Sequence, residues 1–280
     1  MPTAYTHWRF GADCIQKMPE QLQTKVNKYR DIYDIGVHGP DIFFYDLAHK
    51  DVADYGYKMH RNPAKDFFEK CKIIYKDSKN KDATLVYILG FLSHFTLDSM
   101  CHGYVERKKE FSNITHNLVE SQYDRHVILL DKRKANLVDR AESLKPNKEN
   151  AKVISSFYPF NEKVIYRTTS SQRKIITMLN CTYEIKEKFL KSLLHSLGHH
   201  NFADLFVGFK EEEICEDSNL RLDKLRNKAL ALYPKLLKNL LAYLNNKEKL
   251  SKYFNHNFEA WDDYKDIPVL NYEEELKYKV

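Results

Sequence analysis

Apolar positions recur along this chain with helical rather than strand spacing. Over 21–35, Leu22, Val26, Tyr29 and Ile32 or Tyr33 form an i, i+4, i+7 stripe, the mark of one buried helix face. His38-Gly39-Pro40-Asp41 interrupts it, because neither Gly nor Pro there continues a helix. Asn62-Pro63 begins another helix, with Pro in the first turn and Phe67, Phe68, Cys71 and Ile74 on its face. Asp82 is placed to cap a helix over 83–103 that is apolar on nearly every side, so it is expected at the centre of the fold. Ser112 or Asn113 then caps a long helix over 115–144. The charged stretch 145–150 reads as a linker. Helical spacing resumes over 170–197 and 219–246, with Gly198 as a stop and Pro234 kinking or dividing the last helix. No strand pair with a hairpin turn and no internal repeat is present. The fold class is therefore all-α: a multi-helix bundle in which 1–145 form a helical core and 146–280 a C-terminal helical region packed on it in one large domain.

Composition narrows this picture without redirecting it. Of 280 residues, 43% are hydrophobic, enough to build a sizeable core and to exclude a disordered chain. Eight Gly and eight Pro are too few for a turn-dense β-sandwich or a collagen-like repeat. A formal charge of +6 is a weak attraction for anionic partners. Five cysteines, far apart and without a CxxC pair, argue against a disulfide framework or a thiolate zinc site. The first ten residues lack a basic start followed by an apolar run, and the apolar stretch 85–97 is broken by Tyr87, Ser93, His94 and Thr96. The expectation is a cytoplasmic protein without a membrane-spanning segment. Lys132-Arg133-Lys134 reads as a solvated face, with none of the interleaved aromatics of a single-strand nucleic-acid binder.

Histidine placement carries the chemistry. Eight of the twelve histidines fall within the first 126 residues. His94, Asp98 and His102 lie at i, i+4, i+8, drifting only about 80° around a helix, so all three point to one side. His116 and Glu120 repeat the one-turn spacing on the next helix. Polar groups on a buried helix need partners, and Asp98 facing Glu120 in a dry core would repel. A divalent cation between the two helices removes that conflict, and imidazole with carboxylate donors suits zinc or a similar ion. Asp124, on the stripe of His116 and Glu120, is placed to orient a ligand, with a solvated carboxylate as the alternative, while Phe43, Phe44 and Tyr45 read as core.

The order His7, Gly39-Pro40-Asp41, Met59-His60, Gly90…His94-x3-Asp98-x3-His102 and His116-x3-Glu120 resembles the zinc-dependent phospholipase C family, whose all-helical, tri-zinc architecture is shared by single-strand-specific nucleases. The resemblance covers about residues 5 to 130 and brings in His7, Asp41 and His60, which helix spacing does not single out. It implies that Asp41, His60, His94 and Asp98 hold one zinc, that His102, His116 and Glu120 hold a second, more open one, and that His7 contributes to a third bridged by Asp98. His49 is the fallback for His60. Two departures stand out. Trp8 follows His7, whereas secreted members begin with a Trp that completes the third site, so the third metal here is either absent, weakly held or completed by the N-terminus near Pro2. Ile42 occupies the place of a Tyr near the lipid head group, so choline selectivity is not implied.

What the resemblance implies is a hydrolase for phosphodiesters, most of all phospholipids, holding two or three zinc ions. Zinc lowers the pKa of bound water to about 7, and the resulting hydroxide attacks phosphorus with Asp41 as the catalytic base. Five neutral imidazoles with Asp41, Asp98 and Glu120 set −3 against the +4 of two zinc ions, leaving positive charge for a phosphate. Transient contact with a membrane surface follows from such a substrate, with nucleic acid ranked lower. A nuclease or nucleotidase on the same scaffold and a catalytically silent, metal-stabilised helical binding module stay open as alternatives.

Overall fold

The computed structural model describes residues 4–259, 261 and 263–280, apart from the side chain of His200. Its regular elements among the described residues are all helical: α1 (Ala4–Gln16), α2 (Glu20–Lys28), α3 (Arg30–Gly36), α4 (Lys50–Arg61), α5 (Ala64–Asp77), α6 (Lys81–Ser112), α7 (His116–Leu130), α8 (Lys148–Ser155), α9 (Glu162–Met178), α10 (Glu184–Ser196), the single turn α11 (His200–Ala203), α12 (Glu216–Leu244) and α13 (Tyr272–Lys277). The all-α expectation holds.

α6 is the axis on which the others pack: α1, α3, α5, α7, α8 and α12 all touch it. Asn80, rather than Asp82, opens it by accepting the Ala83 N–H at 3.1 Å. The helix then runs past Gly103 to Ser112, nine residues beyond the expected end, and stops where Asn113 turns left-handed at φ 52°. An interior Gly costs about 1 kcal/mol; packing of the segment around Ile267 over Gly103 offsets it. At 32 residues α6 is long and apolar enough to cross a bilayer, but 94% of its apolar window is buried by the protein itself, the environment of a core helix.

Several boundaries differ from the sequence reading, each for a local reason. The 21–35 stripe breaks at Tyr29 (φ −116°, ψ 39°) into α2 and α3, and the break lets α3 lie directly on α6. The two backbones meet at Gly36 and Gly90, where a Cβ on Gly90 would fall 2.5 Å from the Tyr33 carbonyl oxygen. α7 is capped by Thr115, whose hydroxyl accepts the Leu118 N–H at 3.1 Å, and ends at Leu130 because Lys132 adopts φ 58°. The 145–150 stretch is no free linker: Asn147 caps α8, accepting the Asn150 N–H at 2.8 Å, and Leu144, Ala151 and Ile154 are buried in the same core as α6. The 170–197 pattern divides into α9 and α10, with Gly198 the expected left-handed stop at φ 77°. α12 continues through Pro234. An interior Pro costs about 3 kcal/mol, which burial of Tyr233, Leu236, Leu237 and Leu240 on both sides of it outweighs.

The C-terminal helix is fastened by charge. Arg221 on α12 donates to both oxygens of Glu275 on α13, each at 2.8 Å, and the guanidinium lies between the rings of Tyr104 and Tyr278. Glu275 is fully buried, and removing one partner of such a pair leaves an uncompensated charge. Glu275→Ala is expected to destabilise the protein by about 3 kcal/mol, seen as a lower melting temperature in thermal denaturation. Glu273→Ala on the exposed side of the same helix stays within about 0.5 kcal/mol.

Candidate metal centre

His94, Asp98 and His102 stand on consecutive turns of α6, each buried. The turn Gly39–Phe43 carries Asp41 over them. Gly39 makes this approach feasible: its φ is +51°, and a Cβ there would sit 2.3 Å from His94 Cδ2. His60 reaches the same point from the last turn of α4 and His7 from α1, its ring stacked on that of His94 with centroids 4.3 Å apart.

Asp41, His60, His94 and Asp98 form the first group, each offering a donor atom within 4.8 Å of all the others. His60 Nε2 lies 2.9 Å from Asp41 Oδ1 and 3.8 Å from Asp98 Oδ2. His94 Nε2 lies 3.0 Å from Asp98 Oδ2 and 3.8 Å from Asp41 Oδ1. With the Nδ1 protons turned to carbonyls on the far side, none of the four atoms has a hydrogen-bond partner, although each carboxylate oxygen lies at ion-pair distance from a ring. Four ligands about 2 Å from one ion at tetrahedral angles are about 3.3 Å apart, the middle of the observed range. The other oxygen of Asp98 faces away, with Oδ1 3.2 Å from His7 Nε2, so this carboxylate spans two sites.

His102, His116 and Glu120 form the second group. Glu120 Oε1 is 3.3 Å from His102 Nε2 and 2.7 Å from His116 Nε2. The groups adjoin: His102 Nδ1 is 3.9 Å from Asp98 Oδ2.

What lies behind the rings decides their chemistry. Nδ1 of His60 donates to the Gly56 carbonyl at 3.1 Å, that of His94 to the Val37 carbonyl at 3.2 Å, and that of His102 to the Phe258 carbonyl. His116 Nδ1 donates to Glu106 Oε1 at 2.5 Å. Each neutral ring therefore carries its proton at Nδ1 and turns the Nε2 lone pair toward carboxylate oxygens, the tautomer a metal ligand needs. The field agrees. Burial pushes Asp98 up, but His94, His102 and His7 outweigh it and hold the carboxyl well below its usual range. Burial likewise opposes ionisation of Glu120, and His116 reverses it. The hydrogen bond from His116 holds Glu106 down at about 2. Orphaned buried atoms, carboxylates kept charged and Nε2 lone pairs converging on them make a donor set that fits zinc.

All eight expected residues thus lie at one place. His49, the fallback, is half-exposed and bound to Asp46 at 2.8 Å, away from the cluster. Asp124 grips α1 instead of a ring: it accepts from the backbone N–H groups of Tyr5 and Thr6 at 3.3 and 2.8 Å and from the Thr6 hydroxyl at 2.6 Å. That positions the helix carrying His7. Ile42 is core. Phe43 and Tyr45 are core too, but Phe44 lines the mouth of the site. Pro2 lies outside the described residues.

The sequence reading missed Glu106, which continues the i+4 series 94, 98, 102; ending the helix at 103 cut it off. It also missed His38, buried, with burial pulling it down to about 3 and keeping it neutral beside His7. Phe258 had no legible signal. Its backbone N–H binds the His60 carbonyl at 3.0 Å while its own carbonyl holds His102. A cavity of about 480 Å³ opens onto His60, His102 and His116, walled by Phe44, Tyr57 and the carboxylates of Glu106 and Glu259.

A family profile described as zinc-dependent phospholipase C matches residues 6–173, more than half of the chain, and contains every donor in both groups. No individual curated protein and no solved structure gives a significant match. On the extent of that match, the chain belongs to the zinc-dependent phospholipase C family.

Proposed function

We propose that the protein hydrolyses phosphoric diesters, with phospholipids as the substrate class. The observation that carries this reading is the pair of adjoining donor groups opening onto one cavity through His60, His102 and His116. Asp41, His60, His94 and Asp98 would hold one zinc and His102, His116 and Glu120 a second, with His7 and the outer oxygen of Asp98 contributing to a third. When bound, zinc supplies Lewis acidity and an activated water at neutral pH.

The chain's own groups supply the rest. Asp41 is the base we assign, alongside its place among the zinc donors: its carboxylate is buried beside His60 and His94, where it can take a proton from the attacking water. The carbonyls of Val37, Gly56 and Phe258 keep His94, His60 and His102 from rotating as charge develops. Glu106 adds a fourth acid beside the donors, but Lys109 Nζ pairs with its other oxygen at 2.5 Å, so two divalent ions would still leave positive charge for a phosphate. Rim chemistry favours lipid over nucleic acid. The described lining residues of the cavity include Glu106 and Glu259 and no Lys or Arg, a wall that repels a polyanion and accepts a diester whose remainder is apolar, uncharged or cationic.

Metal analysis of the purified protein is expected to give two or three equivalents of zinc, falling by about one in His94→Ala and in His116→Ala and unchanged in His49→Ala. Absence of metal from the parent protein would remove the site. The zinc-loaded protein should turn over a dispersed short-chain phospholipid faster than single-stranded DNA, and Asp41→Asn should lower kcat by at least about a hundredfold. Preference for DNA would select the nuclease reading; full zinc with turnover of neither substrate would select the silent module.

A further inference from the structure

α10 carries two apolar faces, and only one is used. Leu190 and Leu194 pack inward on Leu179, Cys181 and Phe206, and buried Glu187 pairs with Lys191 at 3.1 Å, so the helix is anchored. On its outer side Ile185, Phe189, Leu193 and Leu197 follow one another at i+4 spacing, drifting about 120° over three turns, and stand in solvent at 84%, 66%, 43% and 62% exposure. A protein surface does not ordinarily present four large apolar side chains in a row to water.

Two further features say what covers them. The stripe is rimmed by cations: Lys186 is exposed on α10, beside Lys188, which pairs with Glu184 at 2.8 Å, and the loop bearing exposed Lys132, Lys134 and Leu137 is tied to its start by the Asn136 side-chain amide, which donates to the Thr182 carbonyl at 3.4 Å. The stripe also ends at Leu197, beside Gly198, where a groove of about 510 Å³ begins. That groove shares Phe44, Tyr57 and Asn117 with the cavity onto which His60, His102 and His116 open. Apolar surface, basic rim and an open route to the metal donors are thus continuous.

We infer that this face of α10 is a docking surface for a phospholipid bilayer, with Ile185, Phe189, Leu193 and Leu197 entering the interface, the lysines meeting anionic head groups, and the groove admitting a lipid to the cavity. The inference rests on the phospholipid reading of the site and adds where that substrate is met. A second copy of the chain is the less suitable occupant: a two-fold pairing of stripe on stripe would bring Lys186 and Lys188 of both copies together.

The experiment is cosedimentation of the zinc-loaded protein with large unilamellar vesicles of phosphatidylcholine and phosphatidylglycerol at about 2:1, comparing the parent with Ile185→Glu/Phe189→Glu and with Phe189→Ser alone. All these positions are exposed, so thermal melts should coincide. The double variant is expected to lose binding at least about tenfold and the single variant less. No vesicle binding by the parent, or equal binding by the double variant, overturns the docking surface. So does a parent dimer in sedimentation velocity that the double variant dissociates. Hydrolysis of dispersed short-chain lipid separates this from the catalytic reading: parent and variants should match there, and if none of them turns it over the hydrolase reading fails while the vesicle result still decides the surface.

Discussion

Four imidazoles held by their Nδ1 protons set the terms for everything else in this protein. With those protons committed to the carbonyls of Gly56, Val37 and Phe258 and to Glu106, each ring points a lone pair at carboxylate oxygens that are themselves acceptors. In water such a ring would rotate or the acid would be solvated. Here the rings are packed in place and Asp41, Asp98 and Glu120 are at most 2% exposed. Taking such charges out of water costs several kcal/mol per ion, and the arrangement is stable only with positive charge between the opposing lone pairs. Protons on Nε2 would supply some. A divalent ion supplies more and matches the ligand spacing.

Much of the fold serves to hold that confrontation. The Gly36–Gly90 contact seats α3 against α6, which puts the Val37 carbonyl at His94, and Gly39 lets the following turn cross the ring at a distance that any side chain would forbid. Asp124 fixes α1, and with it His7, from a different helix. Phe258 closes the arrangement from a segment remote in sequence, touching the rings of His60 and His94 and bonding the backbone of one donor and the ring of another. The site is therefore supported by both halves of the chain, although the family match ends at 173.

Charge is distributed unequally around this centre. Acids concentrate on the cavity wall, and exposed lysines lie beyond it along α10 and the loop at 132–137. On the proposed reading, zinc ions at the donor groups together with the acidic wall would select for a small anionic group attached to something apolar or cationic. The basic, apolar outer face, as we infer, would add attraction for an extended anionic surface. The two scales of recognition use opposite signs because one acts across a few ångströms in a dry cavity and the other within a Debye length of solvent.

Periodicity alone determined the helical class, the central place of α6 and the shared face of His94, Asp98 and His102, because those depend on spacing within one helix. The stop at Gly198 was legible for the same local reason. Boundaries at Tyr29, Ser112, Leu130 and Asn147 were not: each is set by which backbone groups find partners after packing, and a cap or a left-handed residue is one choice among several nearby candidates. His7, Asp41 and His60 carry no helical signature and were recognisable only as parts of an ordered set of motifs. Tertiary structure decided the rest. Glu106 joined the site because α6 outran its glycine, Asp124 turned to a helix end because α1 lies there, and Phe258 acts through its backbone, which no side-chain pattern encodes.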